Sequence, residues 1–428
     1  MSPIASSAST SSSAAFGHAA GGARPTGALI VGGAHGALAL ARSLGRHGIP
    51  VWYLTDDHPI ARHSRYTERS FVWDGPGDDC AIAFLKDLAR DHDLEGWVLI
   101  AAGDAELRAL SQNHAELSTV FRVAVPPWET VRWTHDKRLT YERAAALGID
   151  FPRGYNPRDL QELAALDCRF PVVLKPTVRE QRNAFTRAKA WRVDDRAALL
   201  ARYKEAAAMV GERAVVLQEL IPGGGSAQFS YAAVWHRGAP VASLVARRTR
   251  QYPIDFGYTS TYVETIEQNE VEEAACRFLS SIDYSGLVEV EFKRDHRDGR
   301  YKLLDVNARA WTWNALGSIG GVDFAHVLWR LAIGETVAPV RCHADVAWMH
   351  GSRDILAVAL EMIAGHLSVA DYLRSWRKPM VFAAFAKDDI VPCLVDLPLG
   401  LARVLRRYLP HPARPAHTAD GSRLRPSH

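Results

Sequence analysis

Two alternating stretches, GLVEVEFKRD (286–295) and YKLLDVNARA (301–310), are joined only by HRDGR, and this pair limits the fold more than any other feature of the chain. Strand side chains alternate between faces, so Glu289 and Glu291 share one face of the first stretch, while Asp305, Asn307 and Arg309 share one face of the second. The other faces are apolar, as an antiparallel hairpin laid on a core requires. A two-residue Asp298-Gly299 turn would pair Glu291 with Val306 and send the carboxylates to opposite sides. A three-residue loop, Arg297-Asp298-Gly299 with Gly299 in the left-handed region, pairs Glu291 with Asp305 instead. That loop is the expected one, and it makes Glu291, Asp305 and Asn307 converge. Oxygen donors without His or Cys suit Mg²⁺, which commonly bridges nucleotide phosphates. Arg309, one pleat beyond Asn307, would meet a γ-phosphate or a carboxylate being activated. A half-exposed structural hairpin shows the same alternation; Asn307, a poor strand former in mid-strand, speaks for a site.

Three further elements carry chemistry. FPVVLKP is a buried strand that presents Lys175 just before Pro176, placed to meet a phosphate as a point charge. The stretch TVREQRNAFTRAKAWRV that follows crowds Arg179, Arg182, Arg187 and Lys189 together. Most of these read as a solvated basic loop; Lys189, where the chain re-enters a strand, is the exception expected to reach the nucleotide. VVLQELIPGGG sets Gln218 and Glu219 at a strand end before a Pro-Gly turn, the form of an interdomain hinge or of a plain surface turn. GGAHG after the first strand supplies Gly32, Gly33 and Gly36 at a strand-to-helix turn, with Asp56 ending the next strand. Its spacing departs from the dinucleotide GxGxxG, so close packing or a substrate anion at the helix start is the better reading.

Around these motifs the chain divides by texture. ALIVGG, IPVWYLTDD, WVLIAAGD and FRVAVPP alternate with helix-like segments, so residues 27–130 read as a doubly wound α/β unit. A small unit follows over 131–213, and an antiparallel α+β unit over 214–340 built on FSYAAVW, PVASLVARR and the hairpin. Residues 341–409 read as a helical extension, and the Ser/Ala/Gly-rich 1–26 and Pro/Arg-rich 410–428 as disordered ends. The amphipathic LVDLPLGLARVLRRYL, with Arg403, Arg406 and Arg407, could cover the protein's own surface, join a partner or touch a membrane; ordinary packing is expected.

A net charge of +3 over 428 residues lacks the basic excess of a nucleic-acid binder and fits a small anionic ligand. Cys80, Cys168, Cys276, Cys342 and Cys393 are scattered without metal or disulfide spacing. A reducing cytoplasmic setting is expected, with no membrane contact.

In this order the elements resemble the ATP-grasp superfamily, in particular its carboxylate–amine ligase branch, which includes D-aspartate ligases and carbamoyl-phosphate-synthase-like proteins. The resemblance covers about residues 28–335 and implies a Rossmann-like preATP-grasp domain, a small lid and an antiparallel C-terminal domain that carries the metal site. It implies ATP and Mg²⁺ as cofactors, and small carboxylate and amine substrates joined through an acyl phosphate; a homodimer is left open. Carried across, it makes Lys137 of HDK the first nucleotide-contacting lysine and Lys175 the lysine on the α- and β-phosphates. Gln218, Glu219 and Ile221 would line adenine and ribose, Glu291, Asp305 and Asn307 would hold Mg²⁺, and Arg309 would stabilise the acyl phosphate. Arg250 of RRTRQYPIDFG would face the substrate. Two departures stand out: Asp305-Val306-Asn307-Ala308-Arg309 replaces the usual Glu-x-Asn-Pro-Arg, and the lid loop is Arg-rich rather than Gly-rich. They motivate a rival reading, an ATP-binding protein without turnover; an NAD-dependent oxidoreductase would leave both lysines and the acidic hairpin idle.

Overall fold

The computed structural model describes residues 25–408, apart from 56–57, 74–78, 156, 158–159, 177–182, 188–189, 255–258 and 344. The expectations for Asp56, Arg179, Arg182, Lys189, the last 19 residues and all but two of the first 26 therefore lie outside the described residues.

Five parallel strands, β1 (Ala28–Val31), β2 (Val51–Thr55), β3 (Arg69–Val72), β4 (Val98–Ala101) and β5 (Arg122–Val123), form the first sheet in the order β3-β2-β1-β4-β5. β1, β2 and β4 are buried throughout, as strands covered on both faces must be. The glycine turn after β1 is tight. Gly32 and Gly33 have φ of +75° and +76°, and a Cβ on Gly33 would lie 2.6 Å from the Ala102 carbonyl oxygen. A Cβ on Gly32 would strike the buried Glu106 carboxyl. The turn thus packs closely, with a carboxylate where a dinucleotide would need its pyrophosphate.

β6 (Gly154–Tyr155), β7 (Val172–Pro176), β8 (Trp191–Val193) and β9 (Val215–Glu219) make a four-stranded antiparallel sheet, β6-β9-β7-β8. Its apolar core, which includes Val172, Leu174, Phe185, Leu199, Tyr203 and Leu217, is its own. The two larger clusters each run across the first and third sheets: Leu29 and Trp97 join Tyr231 and Phe278, and Ile30 and Tyr53 join Val234 and Trp311. The first and third sheets therefore pack as one body to which the small sheet is appended.

That third sheet holds β10 (Gln228–His236), β11 (Ala239–Tyr252), β12 (Thr259–Ile266), β13 (Gly286–Arg294), β14 (Tyr301–Asn307), β15 (Val340–Arg341), β16 (Ala347–Met349) and β17 (Met380–Phe382). Its order is β14-β13-β10-β11-β12-β16-β17, with β15 beside β11. Residues 341–408 are thus not wholly helical as expected. The runs AWM and MVF are too short to show a period, yet they extend the sheet and carry helices Gly351–Ile363, Val369–Ser375 and Val391–Tyr408. The last helix meets the expectation of packing only in part: Cys393 and Leu399 lie against the core, whereas Leu394, Leu397 and Leu401 are exposed and Asp396 is buried. Among the described residues no helix is long and apolar enough to cross a membrane.

The hairpin reaches the expected pairing by another route. The tip is closed by Asp295 N–H to the Arg300 carbonyl, 2.8 Å, so four residues form the loop and Arg294 pairs with Tyr301. A bulge at Leu304 then shifts the ladder by one, and Glu291 faces Asp305 while Glu289 faces Asn307. Gly299 is left-handed as expected, φ +76°. The bulge is pinned from outside, by Leu303 N–H on the Asp150 carbonyl (2.7 Å) and the Tyr141 hydroxyl on the Leu304 carbonyl (3.0 Å).

Candidate functional site

The hairpin register brings four oxygen-bearing side chains onto one face of β13 and β14, and neighbouring elements surround them with cations. Asn307 Nδ2 donates to Glu289 Oε2 (3.2 Å) and Glu291 Oε1 (2.9 Å), which orients the amide and leaves Oδ1 uncommitted. Ser230 on β10 donates to Glu289 Oε1 at 3.0 Å. Burial, and then the adjacent Glu291, push the Glu289 carboxyl up to about 7. A carboxyl held so far from its ordinary range beside a second acid is a place where an added cation is favourable.

Two cations pair with these acids, and a third stands beside them on Asp104. Arg248 on β11, 5% exposed, meets Glu291 at 2.6 Å and donates from Nε to the Ser260 hydroxyl. Lys137 pairs with Asp305 at 2.8 Å, standing at the start of helix Lys137–Ala146, whose Asp136 cap accepts from Arg138 N–H. Burial, the largest single influence, works against the charged form of Lys137, but Asp305 together with Tyr141 and Glu291 holds the ammonium above its ordinary range. Arg309 forks onto Asp104 at 2.6 and 3.0 Å. Asp104 follows β4, and Ala310 N–H reaches the Ala101 carbonyl at 3.4 Å, so the hairpin end sits at the carboxyl ends of the parallel strands, where α/β folds bind ligands.

From the small sheet, Lys175 Nζ donates to Gln218 Oε1 at 2.9 Å, and Gln218, 2% exposed, donates on to the Pro152 carbonyl at 3.4 Å. The Gln218 side chain therefore positions Lys175. Glu219 accepts from Arg297 (2.5 Å) and from Arg153 N–H (3.3 Å), joining the strand end to the hairpin tip, and Ile221 is buried just beyond.

Arg250 is not brought to this cluster. A bulge between Arg247 and Arg250 breaks the alternation of β11, so Arg248 turns toward the acidic hairpin and Arg250 away from it. Its guanidinium, 3% exposed, forks onto Asp354 at 2.9 and 2.7 Å and lies 4.1 Å from the Tyr262 ring centre. Sequence reading also passed over Arg248, Asp104 and Tyr141. Asp104 carried a usable signal, a carboxylate directly after a parallel strand; Arg248 carried none, because a bulge leaves no mark in the pattern.

Residues 258–340 match the family described as the carbamoyl-phosphate synthase L chain, ATP binding domain. The chain is similar to the D-aspartate ligase of Enterococcus faecium, 24% identical over 292 residues that make up 64% of this chain and 68% of that one. Among solved structures it is similar to the biotin carboxylase domain of Hydrogenobacter thermophilus 2-oxoglutarate carboxylase, held there with MgADP and bicarbonate, at 14% identity and a TM-score of 0.59. That match covers 76% of this chain and 74% of the other. It is also similar to an L-amino acid ligase from Bacillus licheniformis, at 16% identity and a TM-score of 0.54, over 74% and 76% of the two chains. A Rossmann-like first domain, a separately cored lid and an antiparallel domain with an acidic hairpin are the parts of the ATP-grasp fold, and the chain has that fold. Two of these similar proteins, the D-aspartate ligase and the L-amino acid ligase, are ligases by name.

Proposed function

We propose that the chain uses ATP to phosphorylate a substrate carboxylate and passes the acyl group to an amine, releasing ADP and phosphate, with an amino acid or small peptide-like molecule as substrate. The observation that carries this reading is that the hairpin acids Asp305 and Glu291 pair with the cleft cations Lys137 and Arg248, while Arg309 pairs with Asp104 beside them. A magnesium nucleotide supplies both partners in exchange, anionic phosphates for the cations and a divalent cation for the acids.

The donor set fits Mg²⁺: Glu291, Asp305 and the Oδ1 of Asn307 are hard oxygen ligands, and Glu289 orients Asn307 from behind. Bound there, Mg²⁺ would neutralise nucleotide phosphates and the charge that builds during transfer. Lys175, braced by Gln218, and Lys189 are assigned to the phosphates. Lys137 is assigned beside them, and Ile221, Gln218 and Glu219 to the adenosine side. Arg309 is assigned to the carboxylate and the phosphoryl group passing to it. Arg248, rather than Arg250, is the arginine of β11 assigned to the reacting groups. Such a site asks the protein for alignment and charge neutralisation, not for a nucleophile of its own.

The test is release of ADP and phosphate by the purified chain with Mg-ATP against a panel of amino acids and small carboxylates, with hydroxylamine added as a trap. Substrate-dependent ADP together with a hydroxamate is the expected result. ATP binding with no ADP across the panel would favour a protein that binds without turnover, and AMP with pyrophosphate would exclude the acyl phosphate route.

A further inference from the structure

Three buried side chains from distant parts of the chain meet on the far side of the first helix, and the proposed ligase reaction uses none of them. His35 is the first residue of helix His35–Arg46, His350 directly precedes helix Gly351–Ile363, and Asp396 lies within helix Val391–Tyr408. All three are buried, at 3%, 1% and 8% exposure. His35 Nε2 lies 2.8 Å from Asp396 Oδ1, the His35 and His350 ring centres are 4.5 Å apart, and one ligand atom from each residue lies within 4.8 Å of the others. A fourth ring, His58, is centred 5.4 Å from His35.

The hydrogen bonds around the cluster assign its protons. Ser352 Oγ donates to Asp396 Oδ2 at 3.0 Å and lies 3.3 Å from His350 Nδ1. A hydroxyl has one hydrogen, and here the carboxylate takes it, so His350 Nδ1 must be the donor to Ser352. The lone pair of His350 then resides on Nε2, which is buried and has no hydrogen-bond partner among the described residues. A purely structural network would leave that acceptor unsatisfied at a cost of about 1 to 3 kcal/mol. Ser352 meanwhile does what an outer-shell group does at a metal centre: it fixes the tautomer of a histidine and the orientation of a carboxylate at once.

We propose that His35, His350 and Asp396 form a site for a divalent transition ion of the zinc type. Two imidazole nitrogens and one carboxylate oxygen are a donor set for such an ion rather than for Mg²⁺ or Ca²⁺, and a fourth position is left for His58 or water. Bonds of about 2.0 to 2.2 Å place tetrahedral ligand atoms roughly 3.4 Å apart, so the cluster closes on an ion with side-chain shifts on the order of 1 Å. The ion replaces the hydrogen shared by His35 Nε2 and Asp396 Oδ1: in a neutral ring that hydrogen moves to Nδ1, and a doubly protonated ring gives up one proton to solvent. His35 and Asn314 also line a cleft of about 380 Å³ between the first helix and the C-terminal layer, which gives the ion a way in. Bound, the ion would clamp the last helix to the first domain at the turn after β1.

The test is titration of the chelator-treated full-length chain with Co²⁺ and then Zn²⁺, reading the visible d–d bands and the thermal midpoint. The expected result is intense tetrahedral bands saturating at a single ion per chain, bleached by Zn²⁺, with a midpoint raised by several degrees. His350→Gln and Asp396→Asn should abolish the bands, and Ser352→Ala, which removes no ligand, should weaken binding about 10- to 100-fold. Glu291→Gln should leave them intact, because the oxygen-only hairpin gives weak octahedral bands. No tetrahedral spectrum and no Zn²⁺-dependent midpoint shift, or bands that survive in both His350→Gln and Ser352→Ala, would overturn the proposal.

Discussion

Two sets of ion pairs use the same chemistry, arginine or lysine against a carboxylate, to opposite ends. Away from the cleft, Arg250–Asp354 and Arg42–Asp389 are almost solvent-free, with every side chain at 6% exposure or less. Each is held by further hydrogen bonds: Arg42 also donates to the Ala384 and Asp389 carbonyls, and Ser64 and Arg65 N–H donate to Asp389. In the cleft, Lys137–Asp305 and Arg309–Asp104 are between 20% and 63% exposed, and each joins two elements that a ligand could separate. A fully satisfied buried pair has no stake in a ligand, whereas a half-exposed pair loses little when a phosphate or metal ion replaces one partner. Across these four pairs exposure and satisfaction, not residue type, separate mortar from machinery, while Arg248–Glu291, 6% and 14% exposed, is the cleft pair that departs from the rule.

The largest effect should follow from breaking the mortar. Asp354→Ala leaves Arg250 charged and buried, and should cost about 3 to 5 kcal/mol in a denaturant titration. The double replacement Arg250→Met with Asp354→Leu should recover most of that, since apolar residues of similar volume commonly replace a buried pair without loss. A double variant as unstable as the single one would mean that Arg250 contributes through its contacts with Tyr262 and Tyr372 instead.

On the cleft side the expectation reverses. Lys175→Ala and Asn307→Ala should each lower kcat/KM about 10²- to 10³-fold, or roughly 3 to 4 kcal/mol of transition-state stabilisation. Lys137→Ala, which removes a partly exposed pair, should leave ligand-free stability within about 1 kcal/mol while diminishing the stabilisation given by Mg-ATP. Denaturation curves with and without nucleotide separate the two quantities. If Lys137→Ala destabilised the ligand-free chain as much as Asp354→Ala, the distinction between the two sets would collapse.

How far the two sets could be read in the sequence follows the same division. The hairpin acids were legible because period-2 alternation put Glu289, Glu291, Asp305 and Asn307 on faces that the core could not take, and β1, β2 and β4 because they are short unbroken apolar runs, whereas the edge strand RSFV (69–72), with an exposed arginine, gave no such run. Arg248 and Arg250 were not separable: both belong to RRTRQ, and only a bulge decides which faces the acids. The strand Thr259–Ile266 was passed over because its polar threonines and glutamate obscure a segment that is nonetheless buried. Asp354, Asp389 and Asp396 lie more than 100 residues from their partners, a distance over which no local pattern carries information.

Asp295 sharpens the comparison because it falls between the classes. It is buried and takes hydrogen bonds from Arg297 and Lys302, which are 24% and 13% exposed. Bonding to Arg297 in the first place holds its carboxyl far below the usual aspartate range. A depressed carboxylate contributes stability that is fully present above its unfolded value near 3.9 and is lost as pH falls through the folded one. Asp295→Asn should therefore cost about 1.5 to 3 kcal/mol at pH 7, and its gap from wild type should close progressively in acid. A gap constant from pH 7 down to pH 3 would assign the effect to packing rather than charge.

The smallest effect separates hairpin stability from site geometry. At Gly299, φ is +76° and a Cβ would meet nothing within 4 Å, so Gly299→Ala adds only backbone strain, about 1 to 2 kcal/mol. The pairing of Glu291 with Asp305 arises at the Leu304 bulge, which Asp150 and Tyr141 hold from outside the hairpin. Stability should fall by that amount while nucleotide affinity stays within about twofold of wild type, the two being measured by thermal melting and by calorimetric titration with Mg-ATP. Parallel loss of both would place control of the register at the tip, in the way a three-residue loop would have set it, and would make the bulge its consequence.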